Sequence, residues 1–243
     1  MDLKNIYATS RKLKLFEKKT AELFEQDKIK GASHFSNGNE EQLIKIFRGL
    51  RKEDFVYHDE ARDYSRDELI NKKLIEISHN LSENHPIFKG IQKNDWLFLS
   101  YRNHYHSLLK GVSEEWLQNK IVEGWSMTPL NLEKKIISSG IVPGQLPIAL
   151  GMAKALFLKK ASGHVWAFCG DMAAETGIFY ECSKYADNHN LPITFVIEDN
   201  GLSVDTPTEK VWSRYNNNLR KNTIRYKYKS GIPHQGIGKE VGF

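Results

Sequence analysis

Cysteine is nearly absent: the 243 residues hold only Cys169 and Cys182. Two are too few for a disulfide framework, and they lack the spacing of a metal site. The sequence also lacks any run of about 18 apolar residues, so no membrane-spanning helix is expected. The opening stretch MDLKNIYATSRKLKLFEKK has no apolar core and no small-residue cleavage site, which argues against a secretory leader. No internal repeat or low-complexity tract is visible. Nor is the charge of one sign. Thirty-five basic and 30 acidic residues are interleaved, for a net charge of +5 and a pI of about 9.0. Only 219–229, LRKNTIRYKYK, is clearly basic with aromatics inserted. A nucleic-acid partner is therefore not expected, whereas phosphorylated ligands or an acidic partner suit a basic face. With 40% hydrophobic and 27% charged residues, the composition is that of a globular protein sized for one domain. A reducing, cytoplasmic setting fits the cysteine usage.

What is present is an alternation of short apolar runs and helical periods. Residues 10–29 read as an amphipathic helix capped by Ser10, with Leu13, Phe16, Thr20, Leu23 and Phe24 on one face. A turn-rich piece with His34 follows, then a helix over 40–49. Residues 51–93 are strongly polar, with a helix near 66–78, and read as surface decoration inserted into the domain. WLFLSY (96–101), HVWAFCG (164–170) and LPITFVIED (191–199) read as buried strands. Helices are expected over 113–122, 146–158 and 174–189. IRYKYK, within 224–229, reads as an edge strand because of its charges. Strands that are apolar on both faces and separated by helices predict an α/β fold, a mainly parallel sheet sandwiched by helices. The whole of 1–243 is expected to form this single domain.

The informative constellation is at two strand ends. HVWAFC runs into Gly170-Asp171, and ITFVIE runs into Asp199-Asn200, one strand–helix–strand unit later. Both ends fall on the carboxyl edge of a parallel sheet, where ligands bind. A diphosphate needs a hard cation as a bridge, and Mg²⁺ takes carboxylate, carbonyl and phosphate oxygens. Asp171, the Asn200 amide and the Leu202 carbonyl offer such a set, while N–H groups near Gly170 and Ala173 face phosphate. A strand-end aspartate by itself more often only caps the next helix.

Gly-Asp-Met at 170–172 with Asp-Asn at 199–200 resembles the thiamine-diphosphate motif of the decarboxylating component of 2-oxo acid dehydrogenases, alpha subunit. That family covers pyruvate, branched-chain and acetoin enzymes and is related to the transketolase N-terminal half. Other blocks are similar in the same order: His34-x-x-x-Gly38-x-Glu40, YRNHYHSLLKG (101–111), EGWSM (123–127) and SSGIVPGQLPIALGMA (138–153). The resemblance implies a pyrophosphate-binding domain that holds thiamine diphosphate and Mg²⁺. It implies Tyr101 and Arg102 as diphosphate ligands and Gly140 and Val142 as backbone contacts of the aminopyrimidine ring. Gly170, Asp171, Met172, Ala173, Asn200 and Leu202 would line the cofactor. Asp171, Asn200 and Leu202 would hold the metal, and His34 and His104 would face the reaction centre. IPHQGIG (232–238) would bring in His234 in place of the family's later loop.

The implied reaction is decarboxylation of a 2-oxo acid followed by acyl transfer. At 243 residues the chain is short for two such domains, so a separate beta-type subunit is expected to supply the pyrimidine-binding domain and the activating glutamate, in a heterotetramer. Met172 stands where the family has glycine, and Asp199 where it has asparagine. Two alternatives follow: a split transketolase-type half-enzyme moving ketol units, or a noncatalytic paralogue.

Overall fold

The computed structural model of the chain describes residues 3–212 and 219–232. The strands are β1 (Phe55–Tyr57), β2 (Ile75–Ile77), β3 (Trp96–Leu99), β4 (Leu130–Asn131), β5 (Ile136–Ser138), β6 (Val165–Gly170), β7 (Ile193–Asp199), β8 (Leu202–Ser203), β9 (Thr206–Pro207) and β10 (Thr223–Lys227). The helices are α1 (Leu3–Glu25), α2 (Glu40–Arg48), α3 (Arg66–Asn71), α4 (His104–Leu109), α5 (Glu114–Val122), α6 (Gln145–Leu158), α7 (Asp171–Ala174), α8 (Gly177–Asn188) and α9 (Thr208–Trp212). Eight strands form one sheet in the order β1-β2-β10-β7-β6-β3-β5-β4. From β10 through β5 neighbours run parallel, while β2 and β4 pair antiparallel with their inner neighbours. β8 and β9 make a separate hairpin.

The sheet is packed on both faces, because its central strands alternate side chains into two cores. Trp166 and Phe168 of β6 join Leu97 and Leu99 of β3 in one core, beneath Leu13 and Phe16 of α1, Leu43 of α2, and Leu117 and Ile121 of α5. Val165, Ala167 and Cys169 of β6 enter the other, with Phe195 of β7, Leu146 and Ala153 of α6, and Phe179 of α8. The mainly parallel sheet between helices, expected from the short apolar runs, is therefore the observed architecture.

Three local readings are corrected. The first helix runs over Leu3–Glu25, not 10–29, and Ser10 is buried inside it, not at its cap. It stops where Asp27 turns into the left-handed region, φ 55°, and Lys28 N–H donates back to the Leu23 carbonyl. Residues 51–93 are not surface decoration: they supply β1, β2 and α3, and Val56, Ala61, Leu69, Ile75, Ile77 and Ile87 among their apolar residues are buried. The strand 223–227 is not an edge. It lies between β7 and β2, because the strands of 51–93 cover it.

The order of the sheet places the site. From β3 the chain passes outward to β5, then crosses back over β3 to β6 and winds the other way to β7 and β10. The winding reverses between β3 and β6, and a crevice opens at the carboxyl ends of strands that part in this way.

Candidate active site

A cavity of about 320 Å³ occupies that crevice. Its walls come from five strand or helix ends: Ser100, Tyr101 and Arg102 after β3, Val142 before α6, Gly170 to Ala173 at the end of β6, Glu198, Asn200 and Leu202 to Val204 at the end of β7, and Tyr228 after β10. Of the cofactor-binding residues expected from sequence, Tyr101, Arg102, Val142, Gly170, Asp171, Met172, Ala173, Asn200 and Leu202 all line it. Gly140 is not a lining residue; its α-carbon faces Met127 and Thr128. A larger groove of about 530 Å³ lies beside α8 and holds none of the expected residues.

Gly170 has ordinary extended angles, φ −73° and ψ 166°, and a Cβ built there meets no atom of the described residues within 4 Å. Nothing in the protein's own packing demands glycine at this position. Gly170 lines the cavity, and open space beside its α-carbon fits a ligand lying against the backbone. Gly38 is the opposite case. At φ 88°, a Cβ there would sit 2.1 Å from the Lys229 carbonyl oxygen, so glycine is required for close approach.

Asp171 is buried at the start of α7, and the Thr208 hydroxyl donates to its Oδ2 at 2.7 Å. Burial first, and the charge of Asp199 second, push the Asp171 carboxyl up to about 6; the Thr208 bond and Arg66 pull the other way. A cation at the cavity would favour the ionised form. The Asn200 Oδ1 accepts from Leu202 N–H at 3.0 Å, and an amide oxygen keeps a second lone pair. Among the described residues no three His, Cys, Asp or Glu side chains cluster as metal ligands. Cation binding at Asp171 would therefore rely on amide and carbonyl oxygens as well, a hard-oxygen set that fits Mg²⁺ better than zinc.

Met172 lines the cavity, yet its sulfur accepts from the Trp212 indole N–H at 3.0 Å, which ties it to α9. Val204, a β-branched residue at φ 60°, turns the β8–β9 hairpin at the cavity wall.

His34 and His104 lie behind the wall. The His34 ring is buried and rests on Tyr101, centroids 4.5 Å apart. His104 does not open on the cavity. It is fully buried, with Nδ1 2.9 Å from the Glu17 carboxylate and Nε2 3.0 Å from the Ser126 hydroxyl. His234 lies outside the described residues. Sequence reasoning missed Glu198, Tyr228, Ser203, Val204 and Thr176 as lining residues. A charged residue closing the apolar run ITFVIE was the available signal for Glu198. It is held by Tyr226, by the Asn39 amide at 3.2 Å, and by His106 at 3.2 Å. Tyr228 had no signal while its strand was read as an edge.

An open α/β sheet with a crevice at its winding reversal, walled by Gly170, Asp171 and Asn200 at two strand ends, defines the class of α/β proteins that take ligands at the carboxyl edge of the sheet. Residues 84–219, more than half of the chain, match the family described as "Dehydrogenase E1 component". The chain belongs to that family. The pyruvate dehydrogenase E1 component subunit alpha of Rickettsia bellii (strain RML369-C) is 30% identical over 125 residues, 47% of this chain and 38% of that protein. That of Zymomonas mobilis subsp. mobilis is 30% identical over 126 residues, 48% of this chain and 36% of the relative. The 1-deoxy-D-xylulose-5-phosphate synthase of Helicobacter pylori (strain G27) is 31% identical over 126 residues, 51% of this chain and 20% of that protein. The matches thus span well under two thirds of these relatives' lengths. A solved Mycobacterium smegmatis protein described as a thiamin diphosphate-dependent enzyme aligns with a TM-score of 0.32 at 17% identity, over 48% of this chain and 20% of its own.

Proposed function

We propose that this chain is the cofactor-binding, alpha-type subunit of an enzyme that uses thiamine diphosphate and Mg²⁺ to decarboxylate a 2-oxo acid and pass on the acyl group. The observation that carries the reading is the open cradle at Gly170, in the same cavity wall as Asp171 and Asn200. When bound, thiamine diphosphate supplies a nucleophilic carbon and an electron sink. The chain's own residues bind and orient it. Asp171, the Asn200 amide and the Leu202 carbonyl hold the cation. Arg102, whose guanidinium lies 5.2 Å from the Tyr101 ring centroid, meets the diphosphate together with Tyr101. The backbone at Val142 supports the aminopyrimidine. His34, through its contact with Tyr101, and His234 serve the substrate side, and His104 holds the wall from behind.

A partner is part of the reading. Ile141, Val142, Val204 and Trp212 stand exposed on or beside the cavity-lining segments, and exposed apolar rims mark surfaces that another chain covers. A beta-type subunit bringing a pyrimidine-binding domain and an activating glutamate suits that rim, in a heterotetramer. No described helix is long and apolar enough to cross a membrane.

The test is calorimetric titration of thiamine diphosphate with Mg²⁺ into the chain alone and mixed with a beta-type subunit from the same source. Binding that tightens with the partner and is lost in Asp171→Ala, with the fold intact by circular dichroism, is expected. Binding unaffected by Asp171→Ala would sink the metal assignment, and no binding in any mixture would favour a noncatalytic paralogue. The likeness to 1-deoxy-D-xylulose-5-phosphate synthase supports a second reading, transfer of a two-carbon unit to a phosphorylated sugar. Product formation that depends on an aldose phosphate would favour it.

A further inference from the structure

We infer that Arg66 is a positioning residue for the cation-binding loop, and that the polar segment 51–93 serves the cofactor site through it; this rests on the cofactor reading above. Arg66 opens α3, and its place is fixed by a capping box. The Ser65 hydroxyl accepts from Glu68 N–H, and the Glu68 carboxylate accepts from Ser65 N–H at 2.8 Å. From there the guanidinium forks onto a single residue. Nη1 donates to Asp199 Oδ1 at 2.9 Å and Nη2 to the Asp199 carbonyl at 3.0 Å. The same fork lies against Gly201, where a Cβ would come within 3.0 Å of Nη2. Arg66 thus grips Asp199 and lies against Gly201, on either side of Asn200, which lines the cavity.

The loop is anchored elsewhere through the same atoms. Asp199 Oδ1 also accepts from Gly201 N–H at 3.0 Å, and the Asp199 carbonyl accepts from Tyr228 N–H at 2.9 Å. The Gly201 carbonyl accepts from Thr208 N–H, and the Thr208 hydroxyl holds Asp171. The Asp199 side chain is 3% exposed and carries its charge close to the Asp171 carboxylate. Without Arg66, the buried Asp199 carboxylate would lose its cationic partner in the loop that must present Asn200 and Leu202 to a cation. Removing one partner of a buried pair leaves the other charge uncompensated, whereas neutralising both is tolerated. Arg66 lies outside the stretch that matches the family, residues 84–219, so the grip comes from a part of the chain the match does not reach.

The test is titration of Mg²⁺ and thiamine diphosphate into the full chain, with its beta-type partner present, for wild type, R66A, R66K, D199N and R66A/D199N. Amide hydrogen exchange over 199–202 is followed in the cofactor-free protein. R66A should bind about 10- to 100-fold more weakly, the range for lost support of a metal ligand, and should exchange faster over 199–202. R66K should stay weak, because an ammonium cannot span both acceptors. D199N should bind within about threefold of wild type, and R66A/D199N should recover only part of the loss, because the buried charge is relieved but the bond to the Asp199 carbonyl is not restored. A merely structural α3 would not be rescued by neutralising Asp199. R66Q replaces R66A should the latter not fold. Binding by R66A equal to wild type, or a double variant as weak as R66A, overturns the inference and leaves the cofactor reading standing. Failure of the wild type to bind overturns the cofactor reading itself, and the inference with it.

Discussion

β6 and β10 lie two places apart in one sheet, and both are covered by neighbours on each side, yet they are built by opposite rules. β6, VWAFCG, is apolar throughout and drives its side chains into two cores. β10, TIRYK, carries Arg225 and Lys227, and Arg225 is nonetheless 6% exposed. The difference is made by β2. Its register sets Glu76 opposite Arg225, and Lys227 Nζ reaches the Glu76 carboxylate at 2.9 Å. His58 adds a contact to Glu76 at 3.1 Å. A strand interior to a sheet can thus be charged when its neighbour brings the counter-charge, so its stability depends on specific partners and not on area buried alone.

Breaking each strand in its own currency tests this contrast. Phe168→Ala in β6 removes a fully buried ring between two layers and should cost about 3–5 kcal/mol in urea unfolding, with an unchanged m-value. A loss under about 1 kcal/mol would mean that β6 is not the packed centre. In β2, Glu76→Gln should cost about 3 kcal/mol, because Lys227 and Arg225 lose their counter-charge. The acid dependence separates the two. Burial opposes the ionised Glu76, but the His58 hydrogen bond and the charges of Lys227 and Arg225 outweigh it and hold the carboxyl at about 2. A folded-state value below the ordinary 4.5 gives stability that is present above that pH and lost as pH falls from about 4.5 towards 2. Glu76→Gln should flatten stability across that window, and Phe168→Ala should leave its slope unchanged. Equal slopes in wild type and Glu76→Gln would contradict the pairing.

The same contrast explains what was legible in the sequence. β3, β6 and β7 announce themselves as apolar runs bounded by turns, because burial on both faces is a local property of composition. Their polar endings, Gly170-Asp171 and Asp199-Asn200, are readable for the same reason, and the structure gathers Gly170, Asp171 and Asn200 around one cavity. β10 was misplaced at an edge because the residue that neutralises it, Glu76, lies far away in sequence, in a segment whose polarity reads as surface. The reach of Arg66 to Asp199 was invisible on the same ground. The burial of His104 depended on Glu17, a residue of α1 read only as part of an amphipathic helix. Pairings made across the chain leave no periodic trace, so charged segments are where a sequence is read least well.

The smallest expected effect on stability sharpens the comparison at the carboxyl end of β6. Gly170 pairs with Glu198 in the sheet and has angles that alanine adopts without strain. A methyl group there meets open space, so Gly170→Ala should leave the fold unharmed and raise stability by about 0.5 kcal/mol through the less flexible unfolded chain. Affinity for thiamine diphosphate should move the other way, falling roughly tenfold, which is about 1.4 kcal/mol of lost binding. A stabilised protein that binds its cofactor poorly would identify the glycine as kept for the ligand and not for the fold. If affinity is unchanged, the cradle at Gly170 is not where the diphosphate lies. If stability falls sharply instead, the space beside Gly170 belongs to the protein's own packing, and the contrast between a strand end built for a ligand and strands built for burial fails at its most exposed point.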